Sequence, residues 1–494
     1  MTDQNMQQTN LPKRVRVAII GAGPGGMYAG IALRNAGIDD FIVLEKATDV
    51  GGTWWHNRYP GAECDVQSHL YSYSFEPKPD WSRPYAGQQE ILDYLRHVAD
   101  KYRLRASCRF GVEVTAAHWQ EDQALWLLTT ADGQQLRADI VISAIGMFND
   151  VAMPEIDGLD EFAGTIFHTA RWPAKHELGG ERVAIIGSAA SAVQTIPEIA
   201  PEVAQLDVYQ RTPQWVLPKE DEPFSVAELE QFRETPETVE ARRRKLYEQL
   251  ESAILFNDPQ MLEAAEVAGL ENIDQVNDPE LRRRLTPQMN YGCRRPLLSN
   301  KYYPTFNREN VRLVDCAIKR IEADGIVTAD AELRSADTII LATGFETTHF
   351  LASMEVHGRG GRSIQQAWRD GAQAYLGIAT SGFPNLFMLY GPNTNNGSLI
   401  YMLELEVDYI VRHIKRMEQM GLKWIDVRNE AMQAYNDQLQ QDIAAVKVWG
   451  ADCRGYYRVP SGRIVTQLPY DMTTYRQLTN RADEDAYEAD ADAR

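Results

Sequence analysis

The sequence predicts an α/β fold of two similar units, each a parallel sheet with a small antiparallel hairpin, together with a helical insertion. Three observations predict it. The pentapeptide VAIIG occurs twice, at Val17–Gly21 and Val183–Gly187. Each copy is an apolar run ending in glycine, followed by a helical pattern and a second apolar run, FIVLE in one case and LDVYQ in the other. That order is the βαβ signature of a parallel sheet. A second duplication, RADIVISAIG ending at Gly146 and SADTIILATG ending at Gly344, carries an aspartate seven residues before its last glycine, Asp139 and Asp337.

Composition bounds the function. The 494 residues are 44% apolar and 24% charged, as in ordinary soluble proteins of several domains. No apolar run reaches the 18 or so residues a membrane span needs, and MTDQNMQQTNLPKR has no apolar core of a secretory signal. No stable membrane insertion is expected. The net charge of −20 disfavours nucleic acid and anionic lipid as partners. Five scattered cysteines (Cys64, Cys108, Cys293, Cys316, Cys453) include no CxxC. That argues against a disulfide framework, a metal knuckle or a dithiol centre, and fits a reducing cytoplasm.

The first copy continues Gly21-Ala22-Gly23-Pro24-Gly25-Gly26, a helix from Met27 to about Ala36, and a strand ending at Glu45. This is GxGxxG between strand and helix, with an acid after the next strand. Gly21 makes the turn, Gly23 lets the backbone approach a pyrophosphate, and Gly26 lets helix and strand pack closely. The helix N-terminus offers unpaired N–H groups to phosphate, and Glu45 can accept from a ribose diol. In the second copy, Arg211 stands 24 residues after Gly187, as Glu45 stands 24 after Gly21 (211 − 187 and 45 − 21). An acid suits a free 2′-hydroxyl and an arginine a 2′-phosphate. The pair therefore predicts FAD on the first Rossmann-like unit and NADPH on the second. Ala189 and Ala192 replace the second and third glycines; alanine at 189 tolerates a close phosphate only at negative φ.

An Ala-Asp-Gly turn precedes each second run, at Ala131–Gly133 and Ala323–Gly325, and reads as the hairpin of each unit. Residues 215–290 turn rich in Glu, Arg and Leu and read as a helical insertion, either a lid or an elaboration. Helical patterns return at Glu90–Tyr102, Tyr401–Met420 and about Glu430–Val446, and LFMLYGP (Leu386–Pro392) reads as a further buried strand. The expected division is 1–150 for the first part of the FAD domain, 151–345 for the NADPH domain, 346–480 for the second part of the FAD domain, and an acidic, disordered tail at 481–494.

FAGTIFHTARWP (Phe162–Pro173) fits FxGxxxHxxxWP and resembles the fingerprint of Baeyer–Villiger monooxygenases, which are class B flavoprotein monooxygenases. GGTWWHNRYPGAECD (Gly51–Asp65), ATGF (Ala342–Phe345) and FPNLFMLYGP (Phe383–Pro392) also resemble that family. The run FPNLFMLYGPNTNNG and the compact length look most like its 4-hydroxyacetophenone monooxygenase branch. Near the C-terminus that branch has C-x-S-W-Y, whereas here Cys453 precedes Arg454-Gly455-Tyr456-Tyr457, so the substrate is not transferable.

The resemblance implies roles. Arg295 in CRRPLL matches the active-site arginine and Asp65 the carboxylate that positions it. Arg294, with Arg211 and Thr212, matches the NADPH phosphate contact. Gly187, Ser188 and Ser191 belong to the NADPH turn, and Thr53 and Trp54 to the FAD side. Trp54, Trp55 and Tyr59 are expected to pack around the flavin, and Cys64 and Cys293 to be small fillers. Phe162, Gly164, His168 and Trp172 are implied to link the domains and support cofactor motion. The implied reaction consumes NADPH and O2 and converts a ketone to an ester or lactone through a C4a-peroxyflavin. The alternative is oxygenation of sulfur or nitrogen in small molecules. A homodimer is left open.

Overall fold

The computed structural model describes residues 10–351, 353–450, 453 and 457–490. The first sheet begins with β1 (Arg14–Ile20), β2 (Phe41–Glu45), β3 (Cys108–Phe110), β4 (Val114–Gln120), β5 (Leu125–Thr130) and β6 (Gln135–Ser143). The second unit holds β7 (Thr165–His168), β8 (Arg182–Ile186), β9 (Gln205–Tyr209), β10 (Val216–Leu217), β11 (Leu297–Leu298), β12 (Val311–Val314), β13 (Ile318–Glu322), β14 (Gly325–Thr328), β15 (Leu333–Ser335) and β16 (Thr338–Leu341). The chain then returns with β17 (Glu355–His357), β18 (Leu386–Met388), β19 (Ile425–Val427) and β20 (Tyr487–Ala489).

The first sheet runs β17-β4-β5-β6-β1-β2-β3, and β18 joins the end of β6. The register Leu386↔Val141 brings LFMLYGP back beside a strand more than 240 residues earlier. The second sheet runs β12-β9-β8-β16-β7, with every pair parallel. The twin VAII runs are continuous because these strands are covered on both faces. Val17 and Ile19 enter one core while Ala18 and Ile20 enter another. Val183 and Ile185 against Ala184 and Ile186 repeat the division in the second sheet.

The hairpins are only partly as expected. In the first unit β4 and β5 run antiparallel into β6 within the same sheet. In the second, β13-β14-β15 form a separate antiparallel sheet. The counterpart of the Ala131–Gly133 turn is also not Ala323–Gly325, which joins β13 to β14. It is Ala329-Asp330-Ala331, at the same offset as the aspartate pair (330 − 132 and 337 − 139 are both 198). Thr130 donates to Asp132 and Thr328 to Asp330, and Ala331 takes the left-handed conformation that Gly133 takes in the first unit. Identity at one glycine misled the pairing, because an alanine fills the equivalent position. Asp139 and Asp337 each grip an arginine, Arg14 or Arg182, at the head of the leading strand.

The insertion forms the helices Val226–Glu234, Pro236–Ala253, Pro259–Ile273 and Pro279–Leu285. It is bracketed by the parallel pair β10–β11. The first two pack Phe232, Val239 and Leu246 into the core of the first unit, and the last two place Ile273 and Leu285 in the core of the second. The insertion thus bridges both units.

The expected disorder of the acidic tail is corrected for residues 481–490. β20 pairs antiparallel with β19, and Tyr487 is buried, its hydroxyl 2.9 Å from that of Tyr409. One aromatic residue anchors an otherwise acidic stretch. Residues 491–494 lie outside the described residues.

Candidate active site

At the end of β1, Gly21 has φ 106°, and a Cβ there would lie 2.6 Å from the Ala144 carbonyl oxygen. A Cβ on Gly26 would lie 1.9 Å from the Gly21 carbonyl oxygen, so the helix Pro24–Asn35 can seat on the turn only with glycine at its third position. Gly23 caps that helix in extended conformation and faces Gly52, whose added Cβ would stand 2.8 Å from the Gly23 Cα. The GGTWW segment is thereby pressed against the turn. Both close on a cleft. Gly21, Gly23, Glu45 and Thr53 line it together with Met354, Tyr390 and Leu403 from the returning chain. Glu45 is 5% exposed, and its two oxygens accept from the backbone N–H groups of Ala22 and Ala47. This anchors the carboxylate in the cleft wall with acceptor positions left for a diol. A glycine cradle that Cβ atoms would fill, a helix N-terminus and a fixed acid fit FAD.

Trp54 stands behind the wall, its indole donating to the Tyr71 hydroxyl at 3.2 Å. Trp55 lies beneath Arg58 at 3.9 Å. Tyr59 departs from the expectation of flavin packing. Its hydroxyl donates to Gln194 at 2.8 Å, and Gly61 fits so closely that a Cβ would meet the Gln194 carbonyl oxygen at 2.4 Å. The RYPG stretch therefore docks the first unit on the helix Ala190–Ile199 of the second.

The second turn repeats the first. Gly187 has φ 133°, and a Cβ there would lie 2.2 Å from the Ala342 carbonyl oxygen. Ala189 caps the following helix at φ −93°, ψ −166°, close to Gly23 at −72°, −177°. The replacing alanine is therefore unstrained. Ala192 is fully buried where the first unit has Gly26. The Ser188 hydroxyl donates to the Thr212 carbonyl at 3.0 Å, tying the turn to the segment after β9. Arg211 is exposed there and makes no ion pair among the described residues, and Ser191 opens the helix beside it. A glycine-cornered turn, open helix N-terminus and exposed arginine fit NADPH.

Arg295 lies two residues before β11, the partner of β10, and reaches back to the first unit. Its Nε and Nη2 donate to the two Asp65 oxygens at 2.6 and 2.8 Å. Neither residue is a wall of the flavin cleft. Arg294 is half-buried next to it. Cys293 is not a filler: it is disulfide-bonded to Cys453, with Cα atoms 5.5 Å apart and a sequence separation of 160. The expectation of no disulfide fails here because the approach is tertiary and no short spacing announces it. Trp449 also donates to the Gly292 carbonyl, so the C-terminal segment is held to the arginine loop. Arg454–Tyr456 lie outside the described residues. Cys64 is buried beside Asp65, and burial pushes its thiol up, out of reach of thiolate chemistry.

The fingerprint forms β7 and the turn after it. Gly164 is required because a Cβ would lie 2.3 Å from the Asp337 carbonyl oxygen. Phe162 packs against the core beneath β14, and Trp172 meets Phe167 edge-on. His168 is buried; its Nδ1 accepts from the Ala170 N–H at 3.1 Å, and burial lowers its pKa, so it stays neutral. Its ring also contacts Phe345. Phe345 lies on one of the two linkers between the units. These linkers run antiparallel, with Ala152 donating to Gly344, Thr343 to Ala152 and Glu346 to Asp150. The histidine thus sits at the double crossing between the sheets.

Two features escape sequence reasoning. His56 lines the flavin cleft, and burial with neighbouring Arg171 and Lys46 lowers its pKa to about 4. Arg243 on the insertion donates to the carbonyls of His69, Leu70 and Ser72, pinning the first unit's loop beneath the helices. Helical periodicity could have marked Arg243 as inward-facing, but not its target.

A mixed sheet with a parallel core and a wholly parallel sheet, each carrying a dinucleotide turn and joined by zipped linkers, define a two-dinucleotide oxidoreductase. A family model described as pyridine nucleotide-disulphide oxidoreductase matches residues 18–253, although the sequence contains no CxxC. A Baeyer–Villiger monooxygenase of Pseudomonas aeruginosa is 41% identical over 96% of this chain and 91% of its own. A cyclohexanone monooxygenase from Rhodococcus sp. Phi1 bound to NADP+ superimposes with TM-score 0.88 at 31% identity, covering 97% of this chain and 99% of that one. A complex described as OTEMO with FAD and NADP gives 0.87 at 28%, covering 96% and 99%. The chain belongs to the Baeyer–Villiger monooxygenase family. Among the described residues no helix is long and apolar enough to cross a membrane.

Proposed function

We propose that this protein is a FAD-dependent monooxygenase that uses NADPH and O2 to convert a ketone to an ester or lactone. The balance is ketone, O2, NADPH and a proton to ester, water and NADP+. FAD, when bound, supplies hydride acceptance and oxygen activation. The chain supplies position and field. The cradle at Gly21, Gly23 and Gly26, with Glu45, holds FAD; Thr53 walls it and Trp54 backs that wall. Gly187, Ser188 and Ser191 receive the NADPH pyrophosphate, and Arg211, Thr212 and Arg294 its 2′-phosphate. The permanently charged Arg295 stabilises anionic oxygen developing at the attacked carbonyl, and Asp65 fixes its plane. Phe162, Gly164, His168 and Trp172 set the junction between the units. The carrying observation is the two-point Arg295–Asp65 contact, which joins the units beside the interface. We divide the chain into FAD parts 1–150 and 346–480 around an NADPH unit at 151–345.

The chain is best matched to the 4-hydroxyacetophenone branch, supported by FPNLFMLYGPNTNNG and the compact length, with no specific substrate carried over. Sulfide oxygenation is a side activity of the same site. A cytoplasmic location rests on the free thiols Cys64, Cys108 and Cys316, and the Cys293–Cys453 bond stands against it. Sedimentation of the flavin-loaded protein tests whether it forms a homodimer. The deciding experiment is a panel of ketones and sulfides with NADPH and O2. A product heavier by one oxygen, formed one-to-one with NADPH, supports the reading. Peroxide release without product, or protein that takes up no flavin, overturns it.

A further inference from the structure

On the outer face of the first sheet, far along the chain from either dinucleotide turn, three metal-ligating side chains converge. β17 lies parallel to β4 at the edge, with His357 opposite His118 and Glu355 opposite Ala116. Because strand side chains alternate, Glu355 and His357 share a face, and the pairing puts His118 on it too. The opposite face carries Ala117, Trp119 and Val356 into the core, so the backbone beneath the three is fixed. The ligand atoms of all three lie within 4.8 Å of one another. A Glu355 oxygen is 2.9 Å from His357 Nε2 and 4.0 Å from His118 Nε2, and the imidazoles stand 4.9 Å apart.

Tautomers sharpen the point. His357 Nδ1 is 3.1 Å from the Gly361 carbonyl oxygen, which can only accept. The ring therefore donates from Nδ1 and turns the other nitrogen towards the cluster. This backbone contact is the usual outer support of a metal-bound imidazole. His118 Nε2 is shielded from solvent and has no hydrogen-bond partner. Two imidazole nitrogens and a carboxylate oxygen thus face one point, with Glu355 already in contact with His357 and His118 Nε2 left without a hydrogen-bond partner.

We propose that His118, Glu355 and His357 form a binding site for a divalent ion of the zinc class, separate from the oxygenation site. Two nitrogens and one carboxylate suit Zn2+, with a fourth position for water, and suit Ca2+ or Mg2+ poorly. The role is structural. β17 is the strand on which the chain re-enters the first sheet, and Met354 before it and Val114 on β4 both wall the flavin cleft. A bound ion clips the returning chain to that wall. Spacing could not reveal the set, since His357 lies 239 positions after His118 (357 − 118).

The test uses untagged, flavin-loaded protein freed of metal with EDTA and titrated with ZnCl2 by calorimetry and equilibrium dialysis. One Zn2+ per chain is expected, with a Tm raised by the ion. His118→Gln and His357→Gln should each weaken binding by about tenfold or more and abolish the Tm rise. His97→Gln, at a separate exposed histidine, should leave both unchanged. Metal-free Tm values equal to that of the parent show that the variants are folded. Substoichiometric zinc, binding that survives both substitutions, or Ca2+ bound as tightly would overturn the site and leave only a surface Glu355–His357 ion pair.

Discussion

Asp65 grips Arg295 at two points, Nε to Oδ2 and Nη2 to Oδ1, across 230 residues of chain and from one dinucleotide unit to the other. Both side chains are partly exposed, at 32% and 40%, so solvent screening makes the contact a weak stabiliser of the fold. Its value lies in orientation. Arg295→Ala should retain FAD and flavin reduction by NADPH while ester formation falls by about 10² or more. Asp65→Asn should give a smaller loss of the same kind. Full oxygenation by Arg295→Ala, measured as product per NADPH, would remove the arginine from the reaction.

Arg211 should select between nicotinamide cofactors. Arg211→Ala is expected to raise the KM for NADPH far more than that for NADH, because only the former carries the 2′-phosphate. Ala189 has a backbone that any residue adopts, so Ala189→Gly should change either KM little. Equal shifts for the two cofactors in Arg211→Ala would place the phosphate elsewhere.

Glu406 predicts a pH dependence of stability. It is wholly buried on the helix Leu399–Met420 and accepts from the Tyr390 N–H at 2.8 Å. Burial raises its pKa to about 8. Between its usual value near 4.5 and 8, the unfolded chain loses this proton and the folded chain keeps it. This contribution to stability is therefore complete below about pH 4.5 and is lost as pH rises through 8. Relative to the parent, Glu406→Gln should gain stability in urea between pH 5 and 8. Parallel urea midpoints for the two proteins across that range would contradict the assignment.

The Cys293–Cys453 bond predicts a thiol count. Denatured without reductant, the protein should titrate three thiols, and after reduction five. Cys453→Ser should leave FAD bound and raise the KM for NADPH or ketone, because the C-terminal segment would no longer be tied beside Arg295. Five thiols in the unreduced protein would show the pair to be open.

Much of the site was legible because its signals are local. Gly21, Gly23, Gly26 and Glu45 fall within 25 residues and one βαβ unit, where turn geometry and ribose recognition dictate residue type. The Arg211 reading rests on equal spacing in a duplicated unit. Reading failed where the signal was a single shared glycine, as in the hairpin pairing at Ala323–Gly325. It also failed where one aromatic residue outweighed composition, as Tyr487 does in the acidic tail, and where Tyr59 met a partner on another unit.

The sequence by itself determined two parallel sheets, their glycine turns and the chemistry each can hold, since apolar runs, glycines and flanking charges act over a few residues. Only the tertiary structure decided that Asp65 meets Arg295, that Cys293 meets Cys453, that the insertion bridges both units, and that His118 meets His357. Those contacts join segments over a hundred residues apart, and their geometry is set by how sheets and linkers pack, which no local pattern encodes.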